Sequence, residues 1–238
     1  MAKDKKTALI TGGSKGIGFG IAEALIRKNY QVAITSRSIA GAMEAANQLN
    51  KLGPGEALAI EADVRNFDQQ ENAVNNILSR WGRLDVLVAN AGIGHFASIE
   101  DITQAQWHET LDTNLTGVFF SIKAALEALK ASKGYVFTIS SLAGTNFFEG
   151  GAAYNASKFG LTGFTQAVML DLRKFGIKVT TIMPGSVATH FNNHTPNPGD
   201  EWKIQIEDLG QMVVDLLAMH PRTLPSKIEV RPAMPSGR

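Results

Sequence analysis

Two kinds of apolar pattern alternate along the first 185 residues. Short β-rich runs occupy 7–11, 31–36, 57–61, 84–89, 135–140 and 178–183. Between them lie longer stretches with apolar residues at helical spacing, as at Ile17, Ile21 and Leu25, or Leu115, Phe119, Ile122, Leu126 and Leu129. Strands alternating with helices of this length predict parallel βαβ units. A parallel strand covered on both faces reads as a continuous apolar run, and Asp85-Val-Leu-Val-Ala89 does. A last short strand over 227–231 is predicted because Ile228 and Val230 alternate with polar neighbours. The simplest arrangement is α/β: one doubly wound parallel sheet of about seven strands, helices on both faces, in a single domain over 1–238.

Residues 184–203 break the rhythm. They hold Pro184, Gly185, Pro196, Pro198 and Gly199, with three Asn and two His. A long irregular segment inside a compact domain reads as a lid or binding loop, and 186–203 is predicted to be the substrate loop. The tail after Pro232 is expected to be loose.

Composition narrows the function. Of 238 residues, 44% are hydrophobic and 19% charged, which supports a sizeable core and excludes wholesale disorder. Lys and Arg number 23 against 22 Asp and Glu, a net charge of +1. No global basic field exists to hold nucleic acid or an anionic membrane. The absence of cysteine excludes disulfides, thiol catalysis and cysteine-ligated metals. No signal core or membrane-length apolar run is found, so a cytoplasmic location is expected.

The first strand runs into Thr11-Gly-Gly-Ser-Lys-Gly-Ile-Gly18 and then a helix pattern. Glycines at such a turn permit positive φ and close approach of a ligand to the backbone, while the helix N-terminus directs free N–H groups at it. A pyrophosphate suits this turn, which makes the sheet Rossmann-type, with Gly12, Ser14, Lys15, Gly16, Ile17 and Gly18 as cofactor contacts. The spacing differs from both G-x-G-x-x-G and the P-loop, and a plain tight turn is the bland reading. The second strand ends Thr35-Ser-Arg-Ser38, without the acid that would bind a ribose 2′-hydroxyl. Arg37 can instead fork onto a 2′-phosphate, with Lys15 as a second cation, which points to NADP(H) over NAD(H).

Tyr154 and Lys158 are four apart at the start of a helical pattern and share a face. A phenol titrates near 10, too high for efficient proton transfer at neutral pH, and a nearby ammonium is expected to lower it. Ser141 follows the fifth strand, at the sheet edge where ligands sit in open α/β folds. Its hydroxyl is suited to a substrate carbonyl oxygen. A Tyr-x-x-x-Lys pair alone is weak; with Ser141 and the glycine turn on one edge it becomes a catalytic constellation.

The chain resembles the short-chain dehydrogenase/reductase family, including its 3-oxoacyl-[acyl carrier protein] reductase-like members. The matching pieces are Thr11-Gly12-x-x-x-Gly16-x-Gly18, Asp63-Val64, Asn90-Ala91-Gly92, Asn114, Ser141, Tyr154-x-x-x-Lys158 and Pro184-Gly185. The resemblance implies that Tyr154 is the general acid, that Lys158 lowers its pKa and binds the nicotinamide ribose, and that Ser141 polarises the carbonyl. It implies that Asn114 holds a helix distortion and a proton-relaying water. It also implies that Asp63 and Val64 touch adenine, that Asn90, Ala91 and Gly92 line the cofactor, and that Pro184, Gly185, Val187 and Thr189 lie on the nicotinamide side. The expected activity is NADPH-dependent reduction of a ketone or aldehyde to an alcohol, with a 3-oxoacyl thioester first among substrates and no metal required.

The carboxyl-terminal stretch Ile228-Glu-Val-Arg-Pro232 lacks the Gly-Gly turn of relatives that act on carrier-bound substrates, which weakens that analogy. The three histidines His95, His190 and His194 have no metal-ligand spacing. Phe96, Phe147, Phe148, Phe191 and Trp202 follow strands and are candidates to wall an apolar pocket. The face Phe119, Phe120, Ala124, Ala125 and Ala128, with that of 161–172, exceeds what one sheet face needs, so a homodimer or homotetramer is expected. Lys130, Lys133, Arg173 and Lys174 read first as helix-end charges, second as a rim for an acyl carrier protein. The competing function is a catalytically silent NADP(H)-binding sensor or scaffold. It requires damage to Ser141, Tyr154 or Lys158, and all three are present.

Overall fold

A computed structural model describes residues 5–234; the final four residues of the expected loose tail lie outside it. The strands are β1 (Thr7–Ile10), β2 (Gln31–Ser36), β3 (Glu56–Glu61), β4 (Val86–Ala89), β5 (Tyr135–Ile139), β6 (Lys178–Pro184) and β7 (Lys227–Val230). The helices are α1 (Gly16–Arg27), α2 (Ile39–Leu49), α3 (Phe67–Trp81), α4 (Gln104–Leu111), α5 (Gly117–Ser132), α6 (Ala152–Leu172) and α7 (Ile206–Ala218). All strand pairs are parallel, in the order β3-β2-β1-β4-β5-β6-β7. Strand order reverses between β1 and β4, and there the crevice of a doubly wound fold opens at the carboxyl ends.

Alternation along the strands divides the core into two layers. Ile10, Ile34, Val88 and Phe137 pack with Ile21 and Leu25 of α1, Leu49 of α2 and Val213 of α7. Leu9, Ala33, Leu87 and Val136 pack with Ile77 of α3, Ile122 and Leu129 of α5 and Leu161 of α6. Ala125 belongs to this second layer and is fully buried, so it leaves the outward face expected for it. Phe119 remains exposed. The α7 pattern of Leu209, Val213 and Leu216 is helical in spacing; it lay unread behind the irregular 184–203 segment.

Helices α1 and α7 cross backbone to backbone. A Cβ on Gly20 would stand 2.5 Å from the Ile206 carbonyl oxygen, and one on Gly210 2.5 Å from that of Gly20. Gly20→Ala should raise intrinsic helix propensity but overpack this crossing. The net effect expected is a destabilisation of about 1–3 kcal/mol. Urea unfolding checks the sign, which propensity alone would reverse.

The helix predicted through Leu115 is interrupted. Asp112–Thr116 forms a π-helical turn between α4 and α5, and Asn114 sits within it, fully buried. Such bulges re-aim side chains and favour functional sites.

Candidate active site

The turn after β1 is cross-braced. Thr11 Oγ1 accepts from the backbone N–H of Asn90 at 3.0 Å and of Ala91 at 3.1 Å. Asn90 Nδ2 donates to the carbonyls of Thr11 and Gly12. Gly12 and Gly16 have φ of +64° and +58°. A Cβ on Gly18 would lie 2.6 Å from Asn90 Nδ2. Side chains are thus excluded where a ligand would approach the backbone. Lys15 stands at the N-cap of α1 and makes no side-chain cap, so the first-turn N–H groups have no cap partner. Ile17 packs on the first core layer. Ser14, Lys15 and Gly16 face Ala188 and Thr189 across a cleft of about 240 Å³. This cradle fits a dinucleotide pyrophosphate.

At the end of β2, the Arg37 side chain is 64% exposed, with Nη1 3.9 Å from Glu109. Arg65 grips Asp63 through Nε–Oδ1 at 3.0 Å and Nη2–Oδ2 at 2.6 Å, and reaches Glu109 at 3.6 Å. The Arg65 hydrogen bond holds the Asp63 carboxyl below its usual range. The cation that shares Glu109 with Arg37 is therefore Arg65, which the sequence reading missed. Its adjacency to the Asp63-Val64 motif was the available signal. Val64 is buried, and a Cβ on Gly117 would come within 2.7 Å of it.

Asn114 clamps the chain after β4. Its Oδ1 accepts from the Ile93 N–H at 2.9 Å, while its Nδ2 donates to the Ile93 carbonyl at 2.8 Å and to Ser157 Oγ at 3.0 Å. A Cβ on Gly92 would meet Asn114 Oδ1 at 3.3 Å and Lys158 Nζ at 3.6 Å. Gly92 therefore leaves room between the two. Lys158 is buried, and its Nζ donates to the Ile139 carbonyl at 2.9 Å. Burial lowers its pKa from 10.5 to about 8.

Ser141 caps the short 3₁₀ turn Leu142–Gly144, its Oγ accepting from the Ala143 N–H at 3.1 Å. The same hydroxyl lies beside the Tyr154 phenol. Lys158 Nζ stands 5.7 Å from the centre of the Tyr154 ring. Burial pushes the phenol above its ordinary value, and Ser141 opposes this only in part. Desolvation therefore outweighs the lowering expected from Lys158, whose ammonium is turned to Ile139. Asn155, overlooked in the sequence, ties the Ser141 loop to α6 by donating to the carbonyls of Ala143 and Asn146 at 2.7 and 2.8 Å. It lay in plain view between Tyr154 and Lys158.

Pro184 ends β6, and the Gly185 N–H donates to the Val230 carbonyl at 2.8 Å. Val187 bridges to Ile204, closing the loop at its base; Thr189 is buried. Asp200 organises the loop between them. It is held by Lys203 at 2.6 Å and His194 at 2.5 Å, contacts that pull its carboxyl far below the usual range. His95 bonds Glu109 at 2.9 Å. The three histidines stand apart in role, and among the described residues no group of three or more His, Asp or Glu is positioned to hold a metal ion. Phe96, Phe148 and Phe191 gather near Tyr154. Phe147, 86% exposed, and Trp202, beside Lys203, make no ring contact with that group.

This sheet and the glycine turn at its edge define a doubly wound α/β protein of the dinucleotide-binding type. The family model for short chain dehydrogenases matches residues 6–198, and the chain belongs to that family. It is 37% identical over 190 residues to a trans-4-hydroxycyclohexanecarboxylate dehydrogenase of Sinomonas cyclohexanicum, covering 78% of this chain and 73% of that protein. It is 36% identical over 185 residues to a 3-oxoacyl-[acyl-carrier-protein] reductase of Synechocystis sp., covering 77% and 75%. The solved alcohol dehydrogenase from the archaeon Thermococcus sibiricus, complexed with 5-hydroxy-NADP, superposes with a TM-score of 0.91 at 28% identity, covering 97% of each chain. Among the described residues no helix is long and apolar enough to cross a membrane.

Proposed function

We propose that this protein is an NADPH-dependent carbonyl reductase in which Tyr154 protonates the substrate oxygen. The observation that carries the reading is the meeting of Ser141, Tyr154 and Lys158 at the sheet edge that also bears the glycine turn. Gly12, Ser14, Lys15, Gly16, Ile17 and Gly18 would hold the pyrophosphate, Asp63 and Val64 the adenine, and Asn90, Ala91 and Gly92 the adjoining ribose and ring. Pro184, Gly185, Val187 and Thr189 would bound the nicotinamide side. When bound, NADPH supplies the hydride. Ser141 holds the carbonyl oxygen by hydrogen bond, and Tyr154, protonated at neutral pH, donates to it; the Lys158 ammonium, turned from the Ile139 carbonyl towards the phenol, would offset the burial that weakens it as an acid. Lys158 would hold a ribose hydroxyl of the bound cofactor and return a proton to Tyr154; Asn114 fixes the π turn and the Ile93 backbone beside that path. Every member of the set is intact, which disfavours a silent sensor.

Segment 186–203 is read as the substrate loop of a single domain. The exposed Phe119, Phe159 and Leu170 on α5 and α6 support a homodimer or homotetramer. A cytoplasmic setting fits this reading. Acyl carrier protein is retained as one means of substrate delivery, resting on the likeness to the carrier-protein reductase.

The reading is tested by consumption of dihydronicotinamide with a panel of ketones and aldehydes. NADPH should be preferred over NADH. Arg37→Asp replaces the exposed cation with a charge that repels a 2′-phosphate and accepts a 2′-hydroxyl. The ratio of kcat/KM for NADPH over NADH should fall by roughly 10²-fold or more, on the order of 3 kcal/mol of discrimination for a charge-assisted contact. An unchanged ratio removes Arg37 from the site.

A further inference from the structure

Three phenylalanines from three separate loops cluster beside Tyr154, Phe96 and Phe191 in ring contact with it and Phe148 behind Phe96. Phe96 follows β4, Phe148 precedes α6, and Phe191 lies in the loop after β6. Phe96 meets Tyr154 edge-on, with ring centres 5.3 Å apart at 66°. Phe191 is 5.7 Å from Tyr154 at 51° and 6.2 Å from Phe96 at 70°. Phe148 adjoins Phe96 at 5.8 Å and 52°. In a core these rings would be covered, yet Phe96, Phe148 and Phe191 are 39%, 47% and 38% exposed. Gly94 makes the convergence feasible. A Cβ there would stand 2.7 Å from Phe191 Cζ and 2.8 Å from Phe96 Cζ.

We infer that this collar selects a carbonyl compound bearing an aromatic ring next to the reacting group, over a flexible acyl chain. The inference rests on the reductase reading for the reaction, but concerns which molecule the site holds. The cluster itself is uncharged and presents ring faces and edges at steep mutual angles. A flat ring can complete such a set by edge-to-face contact. An aliphatic chain gains only apolar area there, and it loses rotamer freedom when ordered. Exposed aromatic surface beside a candidate proton donor is a binding surface rather than leftover core.

The test is direct binding, by calorimetry, of acetophenone and of 2-octanone, the straight-chain methyl ketone of equal carbon count, to the NADP⁺-saturated protein. The aryl ketone should bind at least tenfold more tightly. Phe96→Leu and Phe191→Leu keep apolar bulk but remove rings, and each should bring the two affinities within about threefold. Gly94→Ala keeps every ring yet drives a methyl group into Phe96 and Phe191, and should erode the preference as well. Thermal unfolding verifies that each variant is folded. A preference of threefold or less in the unaltered protein overturns the inference, as does one that survives both Leu variants. Tight aryl binding without turnover of any carbonyl supports the collar and removes the reductase reading instead.

Discussion

Tyr154→Phe is expected to lower turnover by roughly 10²–10⁴-fold while leaving NADPH binding intact, the range for removing a positioned general acid. The substitution deletes one oxygen. Phe keeps the ring contacts with Phe96 and Phe191, so the collar and the start of α6 should persist. The lost hydroxyl has Ser141 as its neighbour, and Ser141 remains anchored through the Ala143 N–H. Stability should therefore change little. Substrate KM should move less than kcat if the proton is delivered chiefly in the transition state. Turnover within about threefold of the unaltered enzyme would take proton donation away from Tyr154.

Lys158→Met is expected to abolish useful turnover and to stabilise the fold. Lys158 is held charged in a buried place, with one carbonyl hydrogen bond to Ile139. The gap between its ordinary pKa of 10.5 and about 8 here corresponds to about 3 kcal/mol. Loss of the bond to Ile139 offsets about 1 kcal/mol of the relief. A net gain of about 1–2 kcal/mol remains, or a Tm higher by about 3–6 °C for a chain this size. The pH dependence gives an independent check. Between pH 8 and 10.5 the unfolded chain holds a proton on Lys158 that the folded chain has lost. Unfolding free energy should rise with pH across that window, and the Met variant should lack this component of the rise. A variant less stable than the parent, with an unchanged pH slope, would show that Lys158 is not under strain. Opposite effects on activity and stability are the mark of a residue kept for function.

The parallel sheet and its chemistry were legible for different reasons. Strands β1, β4 and β5 are buried along their whole length, and the continuous apolar run of β4 announced a buried parallel sheet. Glycines that cannot carry a Cβ, such as Gly12 and Gly18, left a spaced signature. Helix α7 was missed because its pattern follows two 3₁₀ turns and a proline-rich stretch. The π turn at Asn114 has no spacing of its own to read; only the resemblance pointed to a distortion there. Arg65 and Glu109 are distant in sequence, and their meeting near Arg37 depends on the sheet bringing β2, the β3–α3 loop and α4 together. The direction of the Tyr154 shift was misjudged from the sequence because Tyr-x-x-x-Lys spacing reveals the neighbour but not the depth of burial, and burial decides.

The central claim is transfer of hydride from NADPH to a carbonyl carbon, with the proton from Tyr154. It is tested most directly with NADPH carrying deuterium on the transferable position of the nicotinamide ring. The product alcohol formed from an aryl ketone is then examined by NMR. Deuterium on the carbinol carbon in one stereochemical sense, with product formed roughly 10²–10⁴-fold more slowly by Tyr154→Phe, is the predicted result. NADPH that binds tightly but delivers no deuterium to any ketone or aldehyde of the panel would contradict the account.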